Sequence, residues 1–161
     1  MADIRIGHGW DVHAFGAARP LRLGGVAIPG GHGLAGHSDA DVLAHALASA
    51  LLGSLSLGDL GTHFPDSDPR FQGASSLELL RQVAAMVRER GYAISNCDCT
   101  VVAQEPRLAP YIHEMRSRLA EVLEVETSRV SVKATTAERL GALGRAEGIA
   151  AHAVVLVADR R

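Results

Sequence analysis

The stretch SDADVLAHALASALLG, residues 38–53, decides the fold class, because it predicts a buried helix in the first third of a strand-rich chain. Ser38 is a favoured N-cap residue, and Asp39 and Asp41 suit the positive end of the helix dipole. The residues that follow are almost all small or aliphatic. The sequence therefore predicts a helix over residues 39–52.

Strand patterns lie on both sides of this helix, and two more helices follow it. A bend is expected at Gly7-His8-Gly9 and a hairpin turn at Gly24-Gly25. The expected strands cover residues 4–6, 21–28, 95–104, 129–135 and 149–158, the further helices run from 75 or 76 to before Gly91 and from Pro110 onward, and loops cover 29–36 and most of 53–74. This alternation predicts an α/β fold in a single domain, residues 1–161, with one mixed β-sheet covered by helices on one face.

A sheet that is covered on one face leaves its other face in need of a partner. Val101 and Val155 lie in apolar runs that suit a shared core. The chain is short, so we expect oligomerisation to cover the remaining sheet surface.

The composition excludes several classes of protein. The 161 residues are 47% apolar and 21% charged, which suits a globular domain with its own core. A net charge of −2 gives no basic field for nucleic acid or an anionic membrane, and no apolar run reaches membrane-spanning length. Two cysteines make no disulfide framework, and the N-terminus shows no signal peptide, so a cytoplasmic location is expected, or a plastid one if a transit peptide was removed.

The first candidate site is a metal centre. Asp11 and His13 are two residues apart, so in an extended segment their side chains converge on one side, as zinc ligands do. His45 lies four residues after Asp41 on the same helix face, where a carboxylate can orient the imidazole ring. Three such ligands leave a fourth zinc position open, as in catalytic sites. The alternatives to a metal site are that Asp11 and His13 lie in a surface loop and that His45 is a hydrogen-bonded core histidine.

Two further segments suit a phosphorylated polyol. The run FPDSDP, residues 64–69, is a stiff acidic loop whose carboxylates can accept hydrogen bonds from hydroxyl groups, although ordinary turn chemistry also fits. Lys133, Thr135 and Thr136 lie at the end of a strand and suit a phosphate, and Glu138 suits a hard cation. A threonine N-cap with solvated charges is the alternative here.

The remaining candidates carry less chemistry. Cys97 and Cys99 alternate on one face of a strand and are expected in the core. Gly7-x-Gly9 lacks the third glycine of a dinucleotide loop. No metal-ligand spacing is seen among the histidines at 8, 32, 63, 113 and 152.

Five stretches together resemble the cyclodiphosphate synthases of the non-mevalonate isoprenoid pathway. They are RIGHGWDVHAF (5–15), GHSDADVLAHALASALLG (36–53), LGDLGTHFPDSDP (57–69), DCTVVAQEPRLAPYI (98–112) and VSVKATTAERLGALGRAEGIAAHAVVL (130–156). Each stretch alone is a modest signal. All five occur in family order with conforming spacing, which makes the resemblance specific.

The resemblance implies a homotrimer with active sites shared between subunits. It implies zinc ligands at Asp11, His13 and His45, a magnesium or manganese ion near Glu138, and transition-state stabilisers at His37 and Thr136. The residues implied to bind substrate are Asp11, His13, His37, Ser38, Asp59, Gly61, Phe64, Asp66, Asp68, Ala103, Pro106, Arg107, Leu108, Ala134, Thr135, Thr136 and Arg145.

The implied reaction converts 4-diphosphocytidyl-2-C-methyl-D-erythritol 2-phosphate to 2-C-methyl-D-erythritol 2,4-cyclodiphosphate with release of CMP, as a phosphorus–oxygen lyase. Two other functions fit the same residues. A zinc-dependent phosphohydrolase would use the open zinc position to activate water and would release linear phosphates. A non-catalytic module that binds isoprenoid diphosphates would need only a structural zinc, whose sites are normally closed.

Three residues depart from the family pattern. Ser49 stands where an acidic residue usually follows His45 by one helical turn, which leaves no carboxylate at that position. Ala142 and Trp10 stand where phenylalanines are frequent near the trimer axis. A central cavity that binds isoprenoid diphosphates in some relatives is therefore expected to be reshaped. We expect such ligands to bind weakly or not at all, although Arg145 could still contact a diphosphate.

Overall fold

The computed structural model describes residues 2–160, and five strands and five α-helices occur in that range. The strands are β1 (Ile4–Leu23), β2 (Val26–Leu34), β3 (Tyr92–Val102), β4 (Val130–Thr135) and β5 (Gly148–Asp159). The helices are α1 (Val42–Ser54), α2 (Leu60–His63), α3 (Ser76–Glu89), α4 (Ile112–Leu123) and α5 (Gly141–Gly144), and short 3-10 turns cover Pro69–Phe71, Ala109–Tyr111 and Thr127–Arg129. Within residues 2–160, no helix is both long enough and apolar enough to cross a membrane.

The strands form one mixed sheet in the order β2-β1-β5-β3-β4, which confirms the predicted α/β fold. β3 and β4 run parallel, while the other neighbouring pairs are antiparallel. Helix α1 packs on β1 and β5, and α3 and α4 pack near β3 and β4. The buried core, which includes Cys97 and Cys99, lies between this sheet and the helices, as expected.

The bend predicted at Gly7-His8-Gly9 is wrong, because β1 continues through it. A Cβ atom on Gly7 would lie 1.9 Å from the carbonyl oxygen of Ala50, and one on Gly9 would lie 1.9 Å from that of Ala46. Glycine is therefore required here for the close approach of α1 to β1. This contact brings the first turns of α1 next to the middle of β1.

The hairpin at Gly24-Gly25 is confirmed, because Leu23 pairs with Val26 and both glycines have positive φ, at 56° and 76°. The two φ values favour glycine and match the twist of a two-residue hairpin. The predicted loop over 29–36 is wrong for most of its length, since β2 continues to Leu34.

The predicted start of the first helix is also wrong. α1 begins at Val42, and its N-cap is Asp41 rather than Ser38. The Asp41 carboxylate accepts backbone N–H bonds from Ala44 at 3.1 Å, Gly24 at 2.9 Å and Gly25 at 2.6 Å. One buried side chain therefore joins the helix terminus to the hairpin turn.

The other elements lie close to their predicted positions. α3 begins at Ser76 as predicted, while α4 begins at Ile112, after the 3-10 turn that contains Pro110. The strands predicted at 95–104, 129–135 and 149–158 correspond to β3, β4 and β5. The predicted loop over 53–74 contains α2 and a 3-10 turn.

No helix within residues 2–160 covers one face of the sheet. Alternate residues of β1 point away from the helices, and Ile6 is 70% exposed and Trp10 52% exposed on this open face. Val154 of β5 is exposed on the same side, whereas Val101 and Val155 are fully buried on the other side. A row of large apolar side chains is thus left in solvent by a single chain.

Candidate metal centre and flanking cavities

Asp11, His13 and His45 converge on one point, as predicted. The Asp11 Oδ2 atom lies 3.0 Å from His13 Nε2 and 3.0 Å from His45 Nδ1, and the two ring nitrogens are 3.2 Å apart. Ligands bound to zinc at about 2.0–2.1 Å in a tetrahedral arrangement are separated by about 3.3 Å. The donor set and its spacing therefore fit a zinc ion with one position left for another ligand.

The charges of this cluster are coupled. Burial of the Asp11 carboxylate opposes its ionisation, but hydrogen bonds from His13 and His45 outweigh burial and lower its pKa to about 2. The hydrogen bond to Asp11 raises the pKa of His13 above its ordinary value, against the opposing effect of burial. The lowered pKa keeps the Asp11 carboxylate ionised near neutral pH, which suits a bound metal cation.

Each imidazole ring is held by its second nitrogen. His13 Nδ1 lies 2.6 Å from the carbonyl oxygen of Ala35, which leaves Nε2 as the ring nitrogen that can bind a metal ion. His45 Nε2 lies 3.1 Å from Ser38 Oγ and 2.9 Å from Ser76 Oγ. The prediction that Asp41 orients His45 is wrong, because the Asp41 carboxylate is fully buried against backbone N–H groups.

The metal centre opens into a cavity of about 340 Å³ that contains most of the residues predicted to bind the polyol. This metal-side cavity is lined by Asp11, His13, Gly36, His37, Ser38, His45, Ser49, Asp59, Leu60, Gly61, Phe64, Asp66, Phe71 and Leu79. The Nε2 atom of His37 is buried and has no hydrogen-bond partner among residues 2–160. An unpaired donor or acceptor of this kind suits a bound ligand.

The loop on the far wall of the metal-side cavity is held by its own polar contacts. Asp59 caps α2 by accepting a hydrogen bond from the Thr62 amide at 2.8 Å. Phe64 packs edge-on against Phe71, with ring centroids 5.3 Å apart. Asp68 is not among the lining residues, and its carboxylate pairs with Arg70 at 2.6 Å.

A second cavity, of about 450 Å³, contains the residues predicted for the nucleotide and phosphates. This nucleotide-side cavity is lined by Ala103, Gln104, Pro106, Arg107, Leu108, Ala109, Ile112, Ala134, Thr135, Thr136 and Glu138. Thr136 Oγ1 donates to Glu138 Oε1 at 2.8 Å, so the hydroxyl and the carboxylate face one another. Among the residues that the structure describes, this cavity shares no lining residue with the metal-side cavity.

Arg145 lines neither the metal-side nor the nucleotide-side cavity. It lines a third cavity of about 560 Å³ that shares Gln104 with the nucleotide-side cavity, and its guanidinium pairs with Glu147 at 2.6 Å. Ala142 lies exposed in α5. Weak or absent binding of isoprenoid diphosphates at a trimer axis stays a prediction.

Four residues make contacts that the sequence did not predict, two beside the metal-side cavity and two on the open face of the sheet. Phe71 and Ser76 follow the acidic loop, and a serine at the start of a helix is normally read as a cap. His8 and His152 showed no ligand spacing in sequence, yet His8 Nε2 lies 3.5 Å from His152 Nδ1 on the open face of the sheet. Only the pairing of β1 with β5 brings these two rings together.

The model of the YgbB family matches residues 4–158. The chain belongs to the YgbB family. This membership agrees with the resemblance read from the five sequence stretches.

Relatives within the family are similar over nearly their whole length. The 2-C-methyl-D-erythritol 2,4-cyclodiphosphate synthase of Geobacter metallireducens is 59% identical over 157 residues, 98% of this chain and 100% of that protein. The protein of the same name from Geobacillus kaustophilus is 60% identical over 154 residues, 96% of this chain and 98% of that protein.

Solved structures share the same fold. The bifunctional IspDF of Campylobacter jejuni matches with a TM-score of 0.95 and 46% identity over 99% of this chain, which corresponds to 43% of that longer chain. The CDP complex of IspF from Plasmodium falciparum matches with a TM-score of 0.85 and 32% identity, over 98% of this chain and 97% of that chain.

Proposed function

We propose that this YgbB family chain converts 4-diphosphocytidyl-2-C-methyl-D-erythritol 2-phosphate to 2-C-methyl-D-erythritol 2,4-cyclodiphosphate and CMP, as a phosphorus–oxygen lyase of isoprenoid precursor biosynthesis. The observation that carries the proposal is the metal centre of Asp11, His13 and His45, which opens directly into a cavity lined by Asp59 and Asp66. Relatives at 59% and 60% identity bear the name of this activity.

The reaction needs charge neutralisation and positioning more than proton transfer. An oxygen of the 2-phosphate forms a bond to the β-phosphorus, and the bond from that phosphorus to the oxygen bridging to the α-phosphorus breaks. CMP leaves with the bridging oxygen and its electron pair. Nucleophile and leaving group are both ionised near neutral pH, so no strong general base is required. Positioning of the reacting groups can supply about 7–11 kcal/mol.

The residues of the metal-side cavity hold the sugar half of the substrate in this proposal. The carboxylates of Asp59 and Asp66 accept hydrogen bonds from the hydroxyl groups of the methylerythritol. His37, whose Nε2 atom is unpaired, donates to a phosphate oxygen beside Ser38. These contacts orient the 2-phosphate toward the diphosphate.

Asp11, His13 and His45 would hold a zinc ion, and Glu138 would hold magnesium or manganese. The bound cations would supply Lewis-acid neutralisation of the diphosphate charge. Thr136, hydrogen-bonded to Glu138, then faces the phosphate that takes up negative charge as CMP departs. The cytidine lies between Ala103 and Leu108 in this arrangement.

We propose further that the active molecule is a homotrimer with sites shared between subunits. Two observations support this arrangement. The substrate has a sugar end and a nucleotide end, whereas the chain places the matching residues in two cavities with no lining residue in common among those described. The open sheet face also presents apolar side chains such as Ile6 and Trp10 that association would bury.

Phosphorus NMR of the reaction tests the proposed activity. With the cytidyl diphosphate substrate and added zinc and magnesium, we expect the resonances of a cyclic diphosphate and of CMP. The His45→Ala variant should form neither product. Linear phosphates as the sole products would show a hydrolase, and unchanged substrate with the wild-type chain would contradict the proposal.

A further inference from the structure

The second nitrogen of His45 lies against a buried serine that is itself tied to a carboxylate. Ser76 is 1% exposed, and its Oγ atom lies 2.9 Å from His45 Nε2. The same hydroxyl donates a short hydrogen bond to Asp39 Oδ1, and the Ser76 backbone N–H donates to that oxygen at 3.1 Å. Asp39, Ser76 and His45 therefore form a continuous chain of polar contacts.

The direction of each hydrogen bond follows from the number of protons available. An ionised carboxylate has no proton to donate, so the hydroxyl proton of Ser76 must point to Asp39. The lone pairs of Ser76 Oγ are then left for His45 Nε2, which must carry its proton to make the contact. With the proton on Nε2, a neutral His45 ring has its only lone pair on Nδ1, 3.0 Å from Asp11 Oδ2, so a bound cation would replace the hydrogen bond that Nδ1 donates to Asp11 when no cation is held.

We infer that Asp39 and Ser76 are positioning residues, which orient His45 through its Nε2 proton so that Nδ1 is presented to the metal site. The inference rests on the metal centre of the proposed function. It explains how a ligand histidine is oriented in this chain, where the residue one helical turn beyond His45 is Ser49 and carries no carboxylate.

Ser38 makes a similar but weaker contact. Its Oγ atom lies 3.1 Å from His45 Nε2 and 3.3 Å from Ser76 Oγ, and it also accepts the backbone N–H of Ala40 at 3.1 Å. No carboxylate contact to the Ser38 hydroxyl occurs among residues 2–160. Its oxygen is therefore less polarised than that of Ser76, and its loss should matter less.

Competition between the protein and a chromophoric chelator for zinc alone tests the inference without any turnover. Ser76→Ala should weaken zinc binding about 10- to 100-fold, the range typical of lost outer-shell partners. Asp39→Asn, which keeps the shape but not the charge, should give a smaller loss, and Ser38→Ala a loss smaller than Ser76→Ala. Ser75→Ala is the matched control, because Ser75 precedes α3 without a side-chain cap bond and should leave affinity unchanged.

Nitrogen-15 NMR of the zinc-loaded protein separates positioning from a general loss of fold. The wild-type chain should show a slowly exchanging Nε2–H proton on His45, shifted downfield by its hydrogen bond. Ser76→Ala should lose that protection while the remaining amide spectrum stays native. Native zinc affinity and an unchanged His45 signal in Ser76→Ala would overturn the inference. Failure of the wild-type chain to bind zinc would instead overturn the metal centre, and the inference with it.

Discussion

At the scale of single residues, Asp41 shows how one buried carboxylate can fix two distant parts of a fold. It accepts backbone N–H bonds from the α1 terminus and from both glycines of the hairpin turn. Hydrogen bonds to a charged acceptor are each stronger than neutral ones, and a buried donor left without a partner costs about 1–3 kcal/mol. Asp41 therefore has a structural role, in contrast to the ring-orienting role expected from its spacing to His45.

We predict that Asp41→Ala lowers the free energy of unfolding by about 3 kcal/mol, because it removes a helix cap and leaves buried turn amides unpaired. Urea denaturation of the metal-free protein measures this change. Asp98→Asn is the control, since Asp98 pairs with Lys133 at an exposed position and should cost less than about 1 kcal/mol. Equal stability of Asp41→Ala and wild type would contradict the structural role.

The candidate metal ligands were predictable from sequence, while the residues that contact them were not. Asp11 and His13 lie two apart on a strand, a local pattern that any extended segment turns into convergence. Ser76 lies 31 residues from His45, and its contact depends on how α3 packs against α1. A serine at the start of a helix predicts an N-cap, so nothing in the sequence indicated that Ser76 contacts His45.

At the scale of secondary-structure elements, the contact between β1 and α1 creates the site. Gly7 and Gly9 of β1 predict a bend from the sequence, because glycine is the commonest turn signal. In the structure they instead remove side chains that would strike the backbone of α1. The sequence supplied the positions of most helices and strands, but the length of β1 depended on this tertiary contact.

We predict that Gly9→Ala weakens zinc binding at least about tenfold and destabilises the fold by roughly 1–3 kcal/mol, as overpacking does. The added Cβ atom would lie 1.9 Å from the carbonyl oxygen of Ala46, so α1 must move and displace His45. Chelator competition and urea denaturation measure the two effects.

Gly53→Ala provides the matched control for this substitution. Gly53 lies in the same helix contact, but its nearest neighbour to an added Cβ would be 3.8 Å away. Higher helix propensity should make that variant more stable by up to about 1 kcal/mol, with unchanged zinc affinity. If Gly9→Ala kept wild-type affinity, the close approach would not be what positions His45.

At the scale of the whole molecule, the open sheet face should be the surface that forms the trimer. Ile6 is 70% exposed there, and a buried glutamate in its place would lack a partner. We predict that Ile6→Glu sediments as a folded monomer with little activity, whereas the wild-type chain sediments as a trimer. Arg81→Glu, on the outer surface of α3, is the control for a new acidic residue and should stay trimeric. A trimer that survives Ile6→Glu would place the interface elsewhere.

The proposed division of the site between subunits gives a quantitative prediction for mixed trimers. His45→Ala disables the metal-side cavity of its own chain, and Thr136→Ala disables the nucleotide-side cavity, so each homotrimer should be inactive. When the two variants are unfolded together in equal amounts and refolded, each shared site draws one cavity from each of two neighbouring chains. The chance that both are intact is about one in four, so about a quarter of wild-type activity should return.

Sites confined to one chain would restore none, because every chain carries one defect. Mixing the same variants without unfolding controls for subunit exchange, and recovery that rises with exchange time would show that each active site needs more than one chain.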